Sequence, residues 1–175
     1  MKEMEAETDP TREGDPEPGQ PRMFGGHVGS AKLPWTWAIE QLNGARNYWI
    51  ATTCPDGKPH SRPVWGVWFE NTFYFSTGSL AASNLASHPE ITIHLESGSK
   101  VVIIEGVAKP IDDVALVEHV VSQYNQKYNW NIDPHNLPGP FFAVRPLIAF
   151  RWHFEESDLS PESTGLGTAT RWHFK

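Results

Sequence analysis

Between Tyr48 and Ala108 the sequence alternates short apolar runs with compact turn signals. Tyr48 to Thr53 reads as a strand, Pro55-Asp56-Gly57-Lys58 as a turn, and His60 to Phe69 as a second strand, joined at Glu70-Asn71 to a third over Thr72 to Ser76. A helix is expected from Ser79 to Ser87, capped by Ser79 and ending at His88-Pro89. Glu90 to Leu95 and Val101 to Ala108 then form a hairpin around Ser97-Gly98-Ser99. Connections this short force neighbouring strands to run antiparallel. The expected fold is mainly β with peripheral helices, a closed or nearly closed barrel.

Two more helices and the last strands complete the reading. Thr36 caps a short helix, Trp37 to Asn43, closed by Gly44. The longest helix starts from Asp112 or Asp113 and runs to about Tyr128, with Val114, Val117, Val121, Tyr124 and Tyr128 on one apolar face. Asn129 to Pro140 is a polar, proline-bearing loop. Phe141 to Val144 and Leu147 to Phe154 read as strands divided by Pro146, and Thr168 to Phe174 as a last strand. The tetrapeptide Arg-Trp-His-Phe occurs at 151–154 and again at 171–174, the pattern of two similar amphipathic strands.

Charge and composition set the first segment apart. Seven acids against Lys2 and Arg12 place most of the net charge of −7 in residues 1–20. Residues 1–32 are rich in Glu, Asp, Pro and Gly and almost free of large apolar groups before Met23-Phe24, so they are expected to be a disordered acidic tail, leaving 33–175 as one folded domain. An acidic chain with no basic stripe is a poor nucleic-acid binder. The one cysteine, Cys54, excludes an internal disulfide. With no apolar leader and no run long enough to span a bilayer, the expectation is a soluble cytoplasmic protein with no membrane partner.

Two stretches point to an anion. Arg62 shares a strand face with Val64 and Trp68, where a guanidinium needs either an acidic partner or an anionic ligand. Ser76-Thr77-Gly78-Ser79, between a strand and a helix start, is either an ordinary turn with Ser79 as cap or a phosphate cradle. No Lys or Arg stands between Ser76 and Ser87. The eight histidines show no metal-ligand spacing, and nucleophile-elbow, Walker and dinucleotide fingerprints are absent. Eight tryptophans exceed what a small barrel interior holds, so some are expected at a subunit seam or a planar-ligand pocket.

The ordered combination of "NYWIATTCPDGKPHSRPVWGVWFENTFYFSTG", "NLASHPEITIHLESGSKVVIIEGVA" and the terminal "ATRWHF" resembles the pyridoxamine 5'-phosphate oxidase-like split-barrel superfamily, and within it the flavin/deazaflavin oxidoreductase B branch. The resemblance covers about residues 35–175. It implies a six-stranded antiparallel Greek-key split β-barrel that forms a homodimer, with FMN or the deazaflavin coenzyme F-420 in a groove at the subunit interface. It implies cofactor-binding roles for Arg62, Pro63 and Val64 along the cofactor, for Phe75, Ser76 and Thr77 near ring and phosphate, for Ser79 and Asn84 at the phosphate, and for Arg171 and Trp172 reaching in from the C-terminal segment of the other subunit. The implied activity is hydride transfer between the cofactor and an unsaturated small organic substrate, with no catalytic residue assigned. Tyr128, Trp130 and Phe141 are candidates for the substrate side on aromatic content. The alternative is a non-enzymatic carrier of a cofactor, haem or other planar molecule on the same fold. Family members commonly read Ser-Arg-Lys-Ala-Arg-Asn-Leu at the helix start, where this chain has Ser79-Leu80-Ala81-Ala82-Ser83-Asn84-Leu85. Each charge-assisted contact missing there is worth roughly 1.5–3 kcal/mol.

Overall fold

The computed structural model describes residues 14–19, 33–137, 139–153, 159–160, 163–164 and 169–175. In chain order the elements are β1 (Glu17–Gly19), α1 (Trp35–Gly44), β2 (Tyr48–Thr53), β3 (Pro59–Val64), β4 (Gly66–Phe69), β5 (Thr72–Ser76), α2 (Leu80–Ser87), β6 (Glu90–His94), β7 (Lys100–Pro110), α3 (Val114–Tyr128), β8 (Phe141–His153), β9 (Leu159–Ser160), β10 (Ser163–Thr164) and β11 (Thr170–His173). Among the described residues no helix is long and apolar enough to cross a membrane.

Local turn chemistry builds the hairpins. Cys54 N–H donates to the Lys58 carbonyl and Gly57 N–H to the Cys54 carbonyl, each at 2.8 Å, and Gly57 takes the left-handed φ of 85° that the turn requires. The β4–β5 hairpin turns on Glu70 and Asn71, with φ of 49° and 54°, the two-residue geometry that matches strand twist. Asn71 Oδ1 accepts from Trp35 Nε1 at 3.0 Å, which fixes the turn to α1.

Every ladder is antiparallel, and the strands close into a ring. β2 pairs with β3 on one side and β6 on the other, β6 with β7, β7 with β8, β8 with β5, and β5 with β4. Because β3 and β4 are consecutive segments separated only by Trp65, the circuit is complete. The second strand expected over His60 to Phe69 is thus a single run broken at one residue. On its edge away from β7, β8 serves two partners in turn: Phe141–Val144 pair with β5, while Ile148–Arg151 pair with β11. The strand break expected at Pro146 is a bulge instead. Gly106 of β7 lies opposite Pro146 and Glu105 opposite Ile148, so Leu147 is the extra residue. A Cβ on Gly106 would stand 2.5 Å from the Arg145 carbonyl oxygen, so the bend needs glycine there.

Two apolar clusters result. Inside the ring lie Tyr48, Ile50, Trp68, Phe73, Phe75, Ile93, Val102, Ile104, Phe142 and Val144, closed by Trp35 and Leu42 of α1 and Trp172 of β11. Outside it, α3 covers Val67, Tyr74 and Phe141 with Val120, Val121, Tyr124 and Tyr128. The face of α3 is rotated from the expected one: Val114 is 64% exposed and Val120 is fully buried. Asp113 caps α3 through Leu116 N–H at 3.2 Å. α1 begins at Trp35 behind Pro34, without a side-chain cap, so Thr36 does not play the expected part.

Part of the segment expected to be disordered is ordered. Glu17–Gly19 pair with Gly19 opposite Arg171 and Glu17 opposite His173, covering the otherwise open edge of β11. The rest of the expected tail, apart from residues 14–16, lies outside the described residues.

Candidate functional site

Arg62 lies opposite Ile50 in the β2–β3 ladder, so it shares the inward face of the ring, and its side chain reaches over the start of α2. Its Nη1 donates to Ser79 Oγ. Ser79 Oγ also accepts from Ala81 N–H at 3.3 Å, the cap that starts the helix, and sits 3.0 Å from Thr77 Oγ1. With both Ser79 lone pairs taken, its hydrogen goes to Thr77, and the Thr77 hydroxyl hydrogen remains available. Arg62 Nε is buried and has no hydrogen-bond partner among the described residues. Arg62 Nε and the Thr77 hydroxyl, tied together through Ser79, are therefore the free donors of one cluster at a helix N-terminus, and an oxyanion fits it.

The other expected positions fall elsewhere. Asn84 is fully buried and turned into the protein: its Nδ2 donates to Thr52 Oγ1 at 3.0 Å and to Cys54 Sγ at 3.5 Å, bolting α2 to β2. Ser76 donates to the Pro140 carbonyl at 3.0 Å, which commits its hydrogen to the loop before β8. Pro63 pairs with Trp49 on the outward face, away from Arg62. Val64 is in the core, and Phe75 is enclosed between Phe73 and Phe142 at ring distances of 5.7 and 5.5 Å. Trp172 is 1% exposed, edge-on to Trp35 at 5.0 Å, so it is a core residue of its own protomer. Arg171 points outward with its guanidinium 5.6 Å from the Phe150 ring. Alternation explains the split: Arg171 pairs with Phe150 and Trp172 with Ala149, on opposite faces of β11.

Two of the substrate-side candidates, Tyr128 and Trp130, fall in a cluster around the break at Trp65 whose other members, Tyr124, Lys127 and Arg46, the sequence reading did not single out as site residues. Leaving the ladder there strands backbone groups that must be satisfied. α3 does this with three side chains. Tyr124 hydroxyl donates to the Trp65 carbonyl at 2.5 Å, Lys127 Nζ to the Gly66 carbonyl at 3.1 Å, and Gly66 N–H to the Tyr128 hydroxyl at 2.9 Å. Trp65 stacks on Tyr128 at 4.5 Å and 4°, and the half-exposed Trp130 meets Trp65 edge-on at 4.9 Å. Arg46 lies 5.5 Å from the Trp65 ring. Burial lowers the Lys127 amine to about 8 and pushes the Tyr48, Tyr124 and Tyr128 phenols above their ordinary range. The signal was present in the 3- and 4-residue spacing of Tyr124, Lys127 and Tyr128, but a lysine between tyrosines does not by itself announce a strand break.

The family model for pyridoxamine 5'-phosphate oxidase matches residues 38–152, about two thirds of the chain. The chain belongs to the pyridoxamine 5'-phosphate oxidase family. The family match spans every strand of the ring together with the Arg62–Thr77–Ser79 cluster, and it stops before β11 with Arg171 and Trp172.

Solved structures share the fold of this family member at low identity. A conserved hypothetical protein from Mycobacterium tuberculosis is 20% identical with a TM-score of 0.65, over 75% of this chain and 92% of its own. The haem storage protein HutZ from Vibrio cholerae is 20% identical with a TM-score of 0.54, over 62% and 87%. A protein described as an F420 reductase is 19% identical with a TM-score of 0.50, over 63% and 94%. No curated protein sequence matches the chain.

Proposed function

We propose that this member of the family is a homodimeric oxidoreductase that holds FMN or the deazaflavin coenzyme F-420 by an anionic group at Arg62, Thr77 and Ser79. The observation that carries this reading is the buried, unpartnered Nε of Arg62 above a helix N-terminus already lined with hydroxyls. The fit is to a single phosphate-sized group: the Arg62 guanidinium, the free Thr77 hydroxyl hydrogen and the N-terminus of α2. When bound, such a cofactor supplies two-electron hydride chemistry toward an unsaturated organic substrate, with solvent providing the balancing proton. The chain's own residues bind and orient; Asn84, through Thr52, keeps α2 at the height where Ser79 meets Arg62.

The dimer is proposed from the outward sheet face. Pro63, Trp49, His94, Ile103, Phe150 and Arg171 stand in one cross-strand row over six strands. Apart from the exposed Pro63, each is half-buried in a single protomer, and Trp49 and His94 are parallel at 6.3 Å. A row of that length and apolar content suits a second copy of the chain.

A second reading, storage of a planar molecule without turnover, is favoured by one observation. Leu80 is 51% exposed in the first turn of α2, where a cation would strengthen a phosphate grip. The absorption spectrum of the purified protein, mass spectrometry of released ligand, and steady-state turnover with reduced F-420 or reduced FMN separate the two. Tight binding without turnover supports storage; failure to bind either cofactor ends the oxidoreductase reading.

A further inference from the structure

A second cation is enclosed elsewhere in the barrel. Arg151 sits on the inward face of β8, between Val102 of β7 and Thr170 of β11, and is fully buried. Its guanidinium carbon lies 3.8 Å from the centre of the Trp37 ring of α1. Nε, Nη1 and Nη2 are all buried, and none has a hydrogen-bond partner among the described residues. Two other guanidiniums have an unpartnered buried Nε only: Arg62, which spends Nη1 on Ser79, and Arg171, which stands on the outward face of β11.

The energetics of that arrangement are unfavourable as it stands. A guanidinium removed from water keeps its charge and needs its donors satisfied; cation–π contact with one ring returns only a fraction of the desolvation cost. Burial lowers the basicity of Arg151 to about 10, which leaves it cationic at neutral pH. The Trp37 ring occupies one face of the guanidinium plane, so a partner must approach along an edge. A planar group with two oxygens meets such an edge with two parallel hydrogen bonds.

We propose that Arg151 and Trp37 form a buried carboxylate site, separate from the Arg62 cluster, that takes a small free carboxylate or the carboxylate end of a larger metabolite. Trp37 fixes the plane of the guanidinium, and Arg151 supplies charge and the bidentate fork. The site shares no residue with the Arg62–Thr77–Ser79 cluster, so its failure leaves the reading of that cluster untouched.

The test uses the full-length protein with Arg62→Gln as background, so that the Arg62 cluster does not contribute. Thermal unfolding is followed as sodium formate replaces sodium chloride at constant ionic strength. The expected result is a Tm rise of a few degrees with formate. Arg151→Met, which keeps the length and apolar stem, should abolish that response and unfold no lower than its parent in chloride. Trp37→Leu, which keeps the charge, should reduce the response at least severalfold. In parallel, saturation-transfer NMR on the formate proton should show contact with the parent and none with Arg151→Met. A parent indifferent to formate, or an Arg151→Met protein that is clearly destabilised or unfolded in chloride, shows the guanidinium to be satisfied within the chain and overturns the proposal. Equal responses to formate and chloride show an unselective anion effect and overturn it as well.

Discussion

Lys127 donates its ammonium to the Tyr48 hydroxyl at 2.5 Å, joining α3 to β2 across 79 residues of sequence. The same nitrogen lies 4.7 Å from the Tyr48 ring centre, and burial holds its pKa near 8. In the unfolded chain the amine titrates near 10.4. Between those values the unfolded state binds the extra proton, so stability rises with pH from about 8 to about 10. Above about 10 the sign reverses, because buried Tyr48, Tyr124 and Tyr128 keep protons that the unfolded chain releases. Urea midpoints of the wild type should show this rise and fall, and Lys127→Met should lose the rising limb while keeping the falling one. A flat wild-type profile between pH 8 and 10 would show that the amine is not desolvated.

Gly66 faces Phe73 so closely that a Cβ would stand 2.2 Å from Cζ of the ring and 3.0 Å from the Tyr74 carbonyl. Gly66→Ala must push the ring out of the core. The expected loss is about 1–3 kcal/mol or more by urea unfolding. Gly44→Ala, at a position with nothing within 4 Å, is the matched control and should change stability little.

Ser79 and Arg62 touch, yet their substitutions should separate. Ser79→Ala removes the α2 cap and is expected to cost about 1 kcal/mol of stability. Arg62→Gln leaves the cap in place and should change stability by less, while weakening FMN or F-420 binding at least tenfold in fluorescence titration. Equal effects of the two on stability, with affinity unchanged, would make Arg62 a structural residue.

Asn84 offers a sharper chemical contrast. Its amide donates to Thr52 Oγ1 and Cys54 Sγ from a fully buried position. Asn84→Asp replaces those donors with a carboxylate in the same volume. The variant should be destabilised at pH 7 by a few kcal/mol and partly recover at pH 5, where the acid is protonated, with thermal unfolding as the readout.

Much of this architecture is readable from local chemistry. The Pro55–Lys58 turn, the Glu70-Asn71 turn, the Ser79 cap and the Asp113 cap all depend on residues within four positions of one another, and all are where the sequence places them. The misreadings have a different physical origin. Pro146 looked like a strand end because the partner that tolerates it, Gly106, is forty residues away and pairs at a bulge. Trp172 and Asn84 were expected at the cofactor because the family resemblance assigns them by position; a match of position does not say which side chains the rest of the chain covers, and both are buried here. Tyr128 and Trp130 were candidates on aromatic content, but their meeting with Trp65 was not legible, because the three clasping side chains come from α3, some sixty residues later. Arg62, Thr77 and Ser79 were legible because a cation and hydroxyls at a helix start narrow the chemistry to few uses.

β8 is a continuous bar. Phe141 at one end lies beside Ser76, Arg151 is ten residues further on, and β7 grips both stretches either side of the bulge. At ~3.3 Å per residue that is about 33 Å of strand. Sliding the bar by one residue would turn every inward side chain outward, so it cannot transmit a small displacement by creeping along its neighbour. Any influence of the α2 end on the space beneath Trp37 must therefore travel by another route than a register slip of this strand.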